Sequence, residues 1–159
     1  MGWYGMALID VLDYLPLTHP RRAELLDALQ RFVAGVVRYQ GATTGVWYQV
    51  VDQGTRAGNY LEASASCMFT YVLAKAINNG YISSATYKTA ATQGYAGIIN
   101  QFVTVTGTTY NLNSIRAGLG VSVTYEQYIN PTGILSNDHK GVAAFILASN
   151  EIQILVSTP

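Results

Sequence analysis

Nine carboxylates, nine Lys and Arg residues and two histidines supply almost all the charge chemistry of this sequence. Few of them stand at suggestive spacing. Asp138-His139-Lys140 immediately precedes Gly141 and an apolar helical run. Such a trio can line a pocket in which Lys140 pairs with a substrate carboxylate. It also fits an aspartate that caps a helix beside a solvent-facing lysine. Glu62 follows Asn59 by three residues, ahead of a small, apolar run. In a capping box an amide oxygen and a carboxylate at this spacing satisfy the free N–H groups of a first helical turn. Asn59 and Glu62 are therefore assigned as structural caps. Asp13, Glu24 and Asp27 fall on polar helix faces and read as solvated surface charges. Trp3 and Trp47 can stack on the apolar faces of sugar rings or fill a core.

Other chemistries find no residues. His19 and His139 are far apart and match no metal-ligand spacing. The single cysteine, Cys67, excludes an intrachain disulfide and a cysteine-rich metal site, and its apolar neighbours mark a buried thiol. No nucleophile elbow, phosphate-binding loop or dinucleotide fingerprint is present. Spacing identifies no catalytic residue, no metal ligand and no cofactor motif.

The elements that must position these groups are mostly helical. Tyr4, Leu8, Val11, Leu12 and Leu15 recur at helical spacing up to Pro16. Pro20 suits the opening turn of a second helix, whose stripe is Leu25, Leu29, Phe32, Val33 and Val36, opposed by Arg21, Arg22, Glu24 and Arg31. Val46–Val51 is a short β-rich run between turn residues. The stretch Gly58–Ile82 holds a central helix, rich in small residues from Ala63 to Ser66 and closed by Asn79-Gly80. Ser83 caps a fourth helix through about Phe102, with Tyr87, Ala91, Tyr95, Ile98 and Ile99 on its apolar face. From Val103 to Ser136 the helical period vanishes, and Thr, Val and Gly predict an elaborated loop with short strands. A last helix from about Lys140 carries Phe145, Ala148, Ile152 and Leu155. Five helices in hairpins make an all-α array with a short β-rich insertion.

Composition narrows the partners. A chain of 159 residues, half of them hydrophobic and 11% charged, can bury a single core and is neither disordered nor highly charged. With zero net charge and no Lys/Arg cluster, nucleic acid is not expected as a partner. No apolar run approaches the roughly 20 residues of a membrane span. Twelve tyrosines against nine basic residues suit a sugar-binding surface, and equally an aromatic core.

Four stretches, read together, resemble glycoside hydrolase family 105, the unsaturated rhamnogalacturonyl hydrolases. They are GWYGMALIDVLDYLP, TGVWYQVVDQG, GNYLEASASCMFTYVLAKAINNGYI and NDHKGVAAFILASNEI, in the family's order from Gly2 to about Ile152. Family 88, the unsaturated glucuronyl hydrolases, is related. The resemblance is to the C-terminal half and implies a partial (α/α)6 barrel, residues 1–159 forming one partial domain. It implies as substrate a pectin-derived oligosaccharide ending in a 4,5-unsaturated galacturonyl residue, hydrated at its double bond, and no cofactor. Trp3, Asp138 and Lys140 are its implied substrate-binding residues, although Lys140 stands where some members carry His and Tyr60 where some have Trp.

The family's catalytic aspartate lies upstream of the segment that matches Met1, so a truncated, inactive hydrolase is expected. The alternatives are a noncatalytic helical module binding sugar or protein, and a fragment without independent function. An open half-barrel would expose an apolar face and self-associate. Relatives occur in the cytoplasm and outside the cell, which leaves compartment open. Asn130-Pro131-Thr132 is no glycosylation acceptor, because proline occupies its middle position.

Overall fold

A computed structural model of the chain describes residues 1–118, 120–130 and 132–157. Leu119 and Pro131, within the predicted loop region and the Asn-Pro-Thr triplet, lie outside the described residues. The helices are α1 (Gly2–Tyr14), α2 (Arg22–Arg38), α3 (Ala63–Asn78), α4 (Ser84–Phe102), α5 (Tyr125–Ile129) and α6 (His139–Ser157). Two small antiparallel pairs, β1 (Val103–Thr106) with β2 (Thr109–Leu112) and β3 (Ile115–Arg116) with β4 (Ile134–Leu135), lie between α4 and α6. The hairpins α1–α2 and α3–α4, followed by α6, form the partial (α/α)6 barrel that the sequence predicts.

α3 is the centre. It packs most extensively on α6, and also on α4, α1 and α2. All its residues except Ala65, Lys75 and Asn78 are buried, the pattern of a helix enclosed on every side. Small residues make the enclosure close: a Cβ added at Gly2 or Gly5 of α1 would collide with Met68 of α3 or Phe32 of α2.

That proximity corrects the predicted face of α1. Tyr4 and Val11 are exposed, whereas Gly2, Gly5, Ile9 and Leu12 are buried. Hydrophobicity alone selects the larger side chains, but α1 approaches its neighbours through its glycines. Arg22 is likewise displaced from the predicted polar face: it is buried and donates from Nη1 to the Leu12 and Leu15 carbonyls, both at 2.8 Å. Those carbonyls are unpaired helix-end acceptors, and the guanidinium satisfies them.

Other departures are local. Val46–Val51 forms no strand; its only ladder contact is the bridge Tyr48–Leu61. A sixth helix, α5, joins the predicted five; it is one short turn with no buried residue, so no apolar period announces it. Asp13 is not simply solvated, since its carboxylate lies 2.6 Å from Lys75 Nζ, with Asp10 at 2.8 Å from the same ammonium. Ser83 caps α4 as predicted, accepting from the Thr86 N–H. Asn79-Gly80 closes α3, with Gly80 at φ 70°.

Candidate substrate-binding pocket

The start of α3 is held by Glu62, and this revises the predicted capping box. The helix begins at Ala63, so Glu62 is the N-cap itself and not the third residue of the first turn. Its carboxylate accepts from the Ser64 and Ala65 N–H groups at 3.1 and 2.6 Å and from the Ser64 hydroxyl at 2.7 Å. A fourth donor comes from far along the chain, the Arg116 backbone N–H at 2.9 Å. A buried carboxylate with four donors has its lone pairs met, which makes its 2% exposure tolerable.

Asn59 caps no helix. Its side-chain amide donates to the Val50 and Gln53 carbonyls at 2.9 and 2.8 Å and accepts from the Val50 N–H at 3.1 Å. It therefore shapes the loop ahead of α3. Asn favours such local backbone bonding over continuing a helix.

Above the Glu62 cap lies a cavity of about 450 Å³, within the range of small-ligand sites. Trp3 enters from α1, Tyr48 and Gln49 from the loop that Asn59 shapes, and Glu62 and Ser64 from α3. Arg116 comes from β3, Tyr128 from α5 and Lys140 from α6. The N-terminal ends of α1, α3 and α6 thus meet at one place beside Arg116 and Lys140, with the Glu62 carboxylate capping α3 there and Asp138 pairing with Lys140.

The sequence-predicted residues separate at this point. Trp3 is 60% exposed on the cavity wall and can offer a ring face. Trp47 is fully buried, edge-on to Phe69, and donates its indole N–H to the Val36 carbonyl at 2.8 Å. It is core. Lys140 lines the cavity, and its ammonium lies 2.8 Å from Asp138. Asp138 itself is not on the cavity wall. It caps α6, accepting from the Lys140 N–H at 3.2 Å, and fixes the lysine side chain. Its carboxyl is held below the usual range, chiefly by the Lys140 hydrogen bond.

Arg116 and Tyr128 were missed. Both fall where no period survives, although Arg116 is the one cation between Val103 and Ser136. Its guanidinium Nη1 donates to the Asn130 carbonyl and, at 2.7 Å, to that of Thr132. Ser114, in the left-handed region at φ 62°, turns the chain so that its carbonyl receives the Ala63 N–H at 2.9 Å. The next residues then reach Glu62. Burial pushes the neighbouring Tyr60 phenol up, against the pull of the Arg116 charge.

Two further groups lie outside the cavity. Cys67 is buried and free, and burial pushes its thiol up, away from nucleophilic character. Lys75 sits 13 positions beyond Glu62, about 20 Å along α3. Burial alone would lower its ammonium, but hydrogen bonds to Asp10, Asp13 and Tyr71 raise it overall. Among the described residues no three His, Cys, Asp or Glu side chains converge to hold a metal, and no helix is long and apolar enough to cross a membrane.

This helical array with a polar cavity at its helix N-termini is the architecture of barrel glycosidases. The model of Glycosyl Hydrolase Family 88 matches residues 1–155, and the chain belongs to that family. A Clostridium acetobutylicum glycoside hydrolase from family 105 superposes with a TM-score of 0.89 at 40% identity, covering 96% of this chain and 44% of that one. Protein Atu3128 of Agrobacterium fabrum is 40% identical over 94 residues, which are 59% of this chain and 40% of that protein. A polysaccharide lyase shares the fold, with a TM-score of 0.78 at 23% identity, covering 99% of this chain and 42% of that one. The chain thus spans less than half the length of each of these relatives.

Proposed function

We propose that this chain supplies one wall of the substrate pocket of a glycoside hydrolase that acts on unsaturated, pectin-derived rhamnogalacturonan oligosaccharides. The observation that supports this most is the meeting of Trp3, Arg116 and Lys140 in one cavity. An exposed indole suits a sugar ring, and Arg116 and Lys140 beside it can pair with the carboxylate of a uronic acid, Lys140 sharing its charge with Asp138. Family membership puts the chain among hydrolases on a fold shared with lyases, and Arg116 and Lys140 at the cavity support the choice of an acidic sugar.

In this reading water adds across the C4–C5 double bond of the terminal unsaturated galacturonyl residue. A proton goes to C4 and hydroxyl to C5, and the resulting hemiketal opens and releases the next sugar. Trp3 supports the ring, Lys140 meets the carboxylate and Asp138 keeps Lys140 in place. Of the carboxylates beside the cavity, Glu62 accepts four hydrogen bonds and Asp138 is paired with Lys140, so neither is free to move these protons. The 159 residues alone are therefore expected to bind and not to turn over.

The test follows the ultraviolet absorbance of the unsaturated uronide with this chain added. Unchanged absorbance, together with oligosaccharide binding that Trp3→Ala abolishes, supports the proposal. Loss of absorbance would show that the acid lies within these residues. Absence of binding would remove the sugar-pocket reading.

A further inference from the structure

α5 is a wall of the cavity without a core of its own. Tyr128 lines the cavity from it, yet none of the residues Tyr125–Ile129 is buried. The Thr124 side chain caps this single turn, and the Tyr128 N–H donates to the Thr124 carbonyl at 3.1 Å. One turn fixes several dihedrals for very few bonds and does not persist unaided. What keeps Tyr128 on the cavity therefore lies outside α5.

The loop from Gln53 to Asn59 supplies it. The Arg56 guanidinium lies over the Tyr125 ring, 3.5 Å from its centre, and 3.5 Å from the Glu126 carboxylate. The Tyr125 hydroxyl donates to the Ala57 carbonyl at 3.2 Å. At the other end of the turn Ile129 packs over Gly58, where an added Cβ would collide with its Cδ1. The loop itself is braced. Asn59 holds the Val50 and Gln53 carbonyls, and the Arg56 N–H donates to the Gln53 carbonyl at 2.9 Å.

The ring contact is the stronger part of this clasp. The Arg56 and Glu126 side chains are 46% and 74% exposed, so water and salt screen their attraction. A planar guanidinium on an aromatic face keeps both electrostatic and stacking contact. Arg56 does not itself line the cavity that holds Trp3 and Lys140.

We propose that Arg56 is a positioning residue of the pocket. Through the Tyr125 ring it holds α5 down and so keeps Tyr128 on the cavity wall. When the clasp parts, α5 swings away and the bound molecule leaves. The hold on α5 stands on its own contacts, whereas its effect on binding rests on the sugar-pocket reading.

The test uses the isotopically labelled chain, first alone and then titrated with galacturonate, followed by NMR. Amide order parameters of Tyr125–Ile129 should be about 0.85 in the wild type and fall below about 0.6 in Arg56→Ala. Those of α3 should not change, and the melting temperature should stay within about 2 °C, because Arg56 is a surface side chain. Galacturonate should bind about fivefold more weakly to Arg56→Ala, mostly through faster dissociation. Arg56→Lys keeps a cation over the ring and should recover part of both losses. Gly58→Ala leaves Arg56 in place and should loosen α5 through Ile129.

Unchanged order parameters in Arg56→Ala, or a wild-type α5 already below about 0.6, would overturn the clasp. A loosened α5 with unchanged galacturonate affinity would overturn the positioning role and leave the sugar pocket standing. If galacturonate leaves the wild-type Trp3 indole unmoved, the sugar-pocket reading falls and the positioning role with it; the order parameters then decide the clasp alone.

Discussion

The Glu62 carboxylate receives the Arg116 backbone N–H at 2.9 Å across 54 positions of sequence. The same oxygen accepts from the Ser64 N–H and hydroxyl. One side chain thus starts the central helix and attaches the β3 wall of the pocket to it. The fold and the candidate site share this residue.

Glu62→Ala should be costly for that reason. It leaves buried donors at Ser64, Ala65 and Arg116 without an acceptor, a loss of about 3 kcal/mol for bonds to a charged group. For a chain of this size that corresponds to a fall in melting temperature of roughly 6–12 °C. Calorimetry or circular dichroism reads it, and a change under about 2 °C would show the cap to be dispensable.

The two tryptophans should behave oppositely. Trp47→Ala removes a fully buried ring and its hydrogen bond to Val36, and should cost about 3–5 kcal/mol. Trp3→Ala, at a mostly exposed position, should change stability by less than about 0.5 kcal/mol while abolishing sugar binding. Urea unfolding curves separate the two.

Asp138 predicts a pH signature. Its carboxyl is lowered in the folded chain by the Lys140 hydrogen bond, so the pair stabilises the fold above the unfolded carboxylate value of about 3.9. That contribution is lost as pH falls through the lowered folded value. The melting-temperature gap between wild type and Asp138→Asn should therefore be steady near neutrality and close in acid. A gap that widens on acidification would contradict the pairing.

Cys67 should resist thiol reagents until the chain unfolds. It is buried within α3, and burial keeps the thiol protonated. Modification measured against denaturant should track the unfolding transition. Rapid labelling of native protein would mean that α3 opens locally.

Self-association follows from the edges of the array. Tyr14 is 88% exposed and Val11 46% at the α1 edge, with Ile146 at 54% and Val156 at 58% on α6. Apolar surface of this kind favours association. Light scattering should give a mass above that of one chain and rising with concentration, whereas a concentration-independent monomer would count against it.

The sequence by itself determined the features that neighbouring residues settle among themselves. Ser83 caps α4 through a residue three positions away, Gly80 ends α3 with its own backbone, and Pro16 stops α1 at once. The five longer helices and the all-α class followed from those signals together with the apolar stripes, and the four family stretches carried the barrel. α5 escaped because one exposed turn leaves no period to read.

Only the tertiary structure decided which side chains meet. Trp3 and Trp47 carry the same ring, yet one faces the cavity and the other fills the core. Arg22 and Asp13 look solvated in sequence but satisfy partners on other segments: helix-end carbonyls of α1 for Arg22, and Lys75 of α3 for Asp13. Asn59 and Glu62 stand at capping-box spacing, but α3 starts later, with Glu62 itself as N-cap, and Glu62 also takes a donor from Arg116 that no local pattern contains. A hydrogen bond between neighbours depends on spacing along the chain. One spanning 54 positions depends on how α3 and β3 pack, and that packing made the pocket.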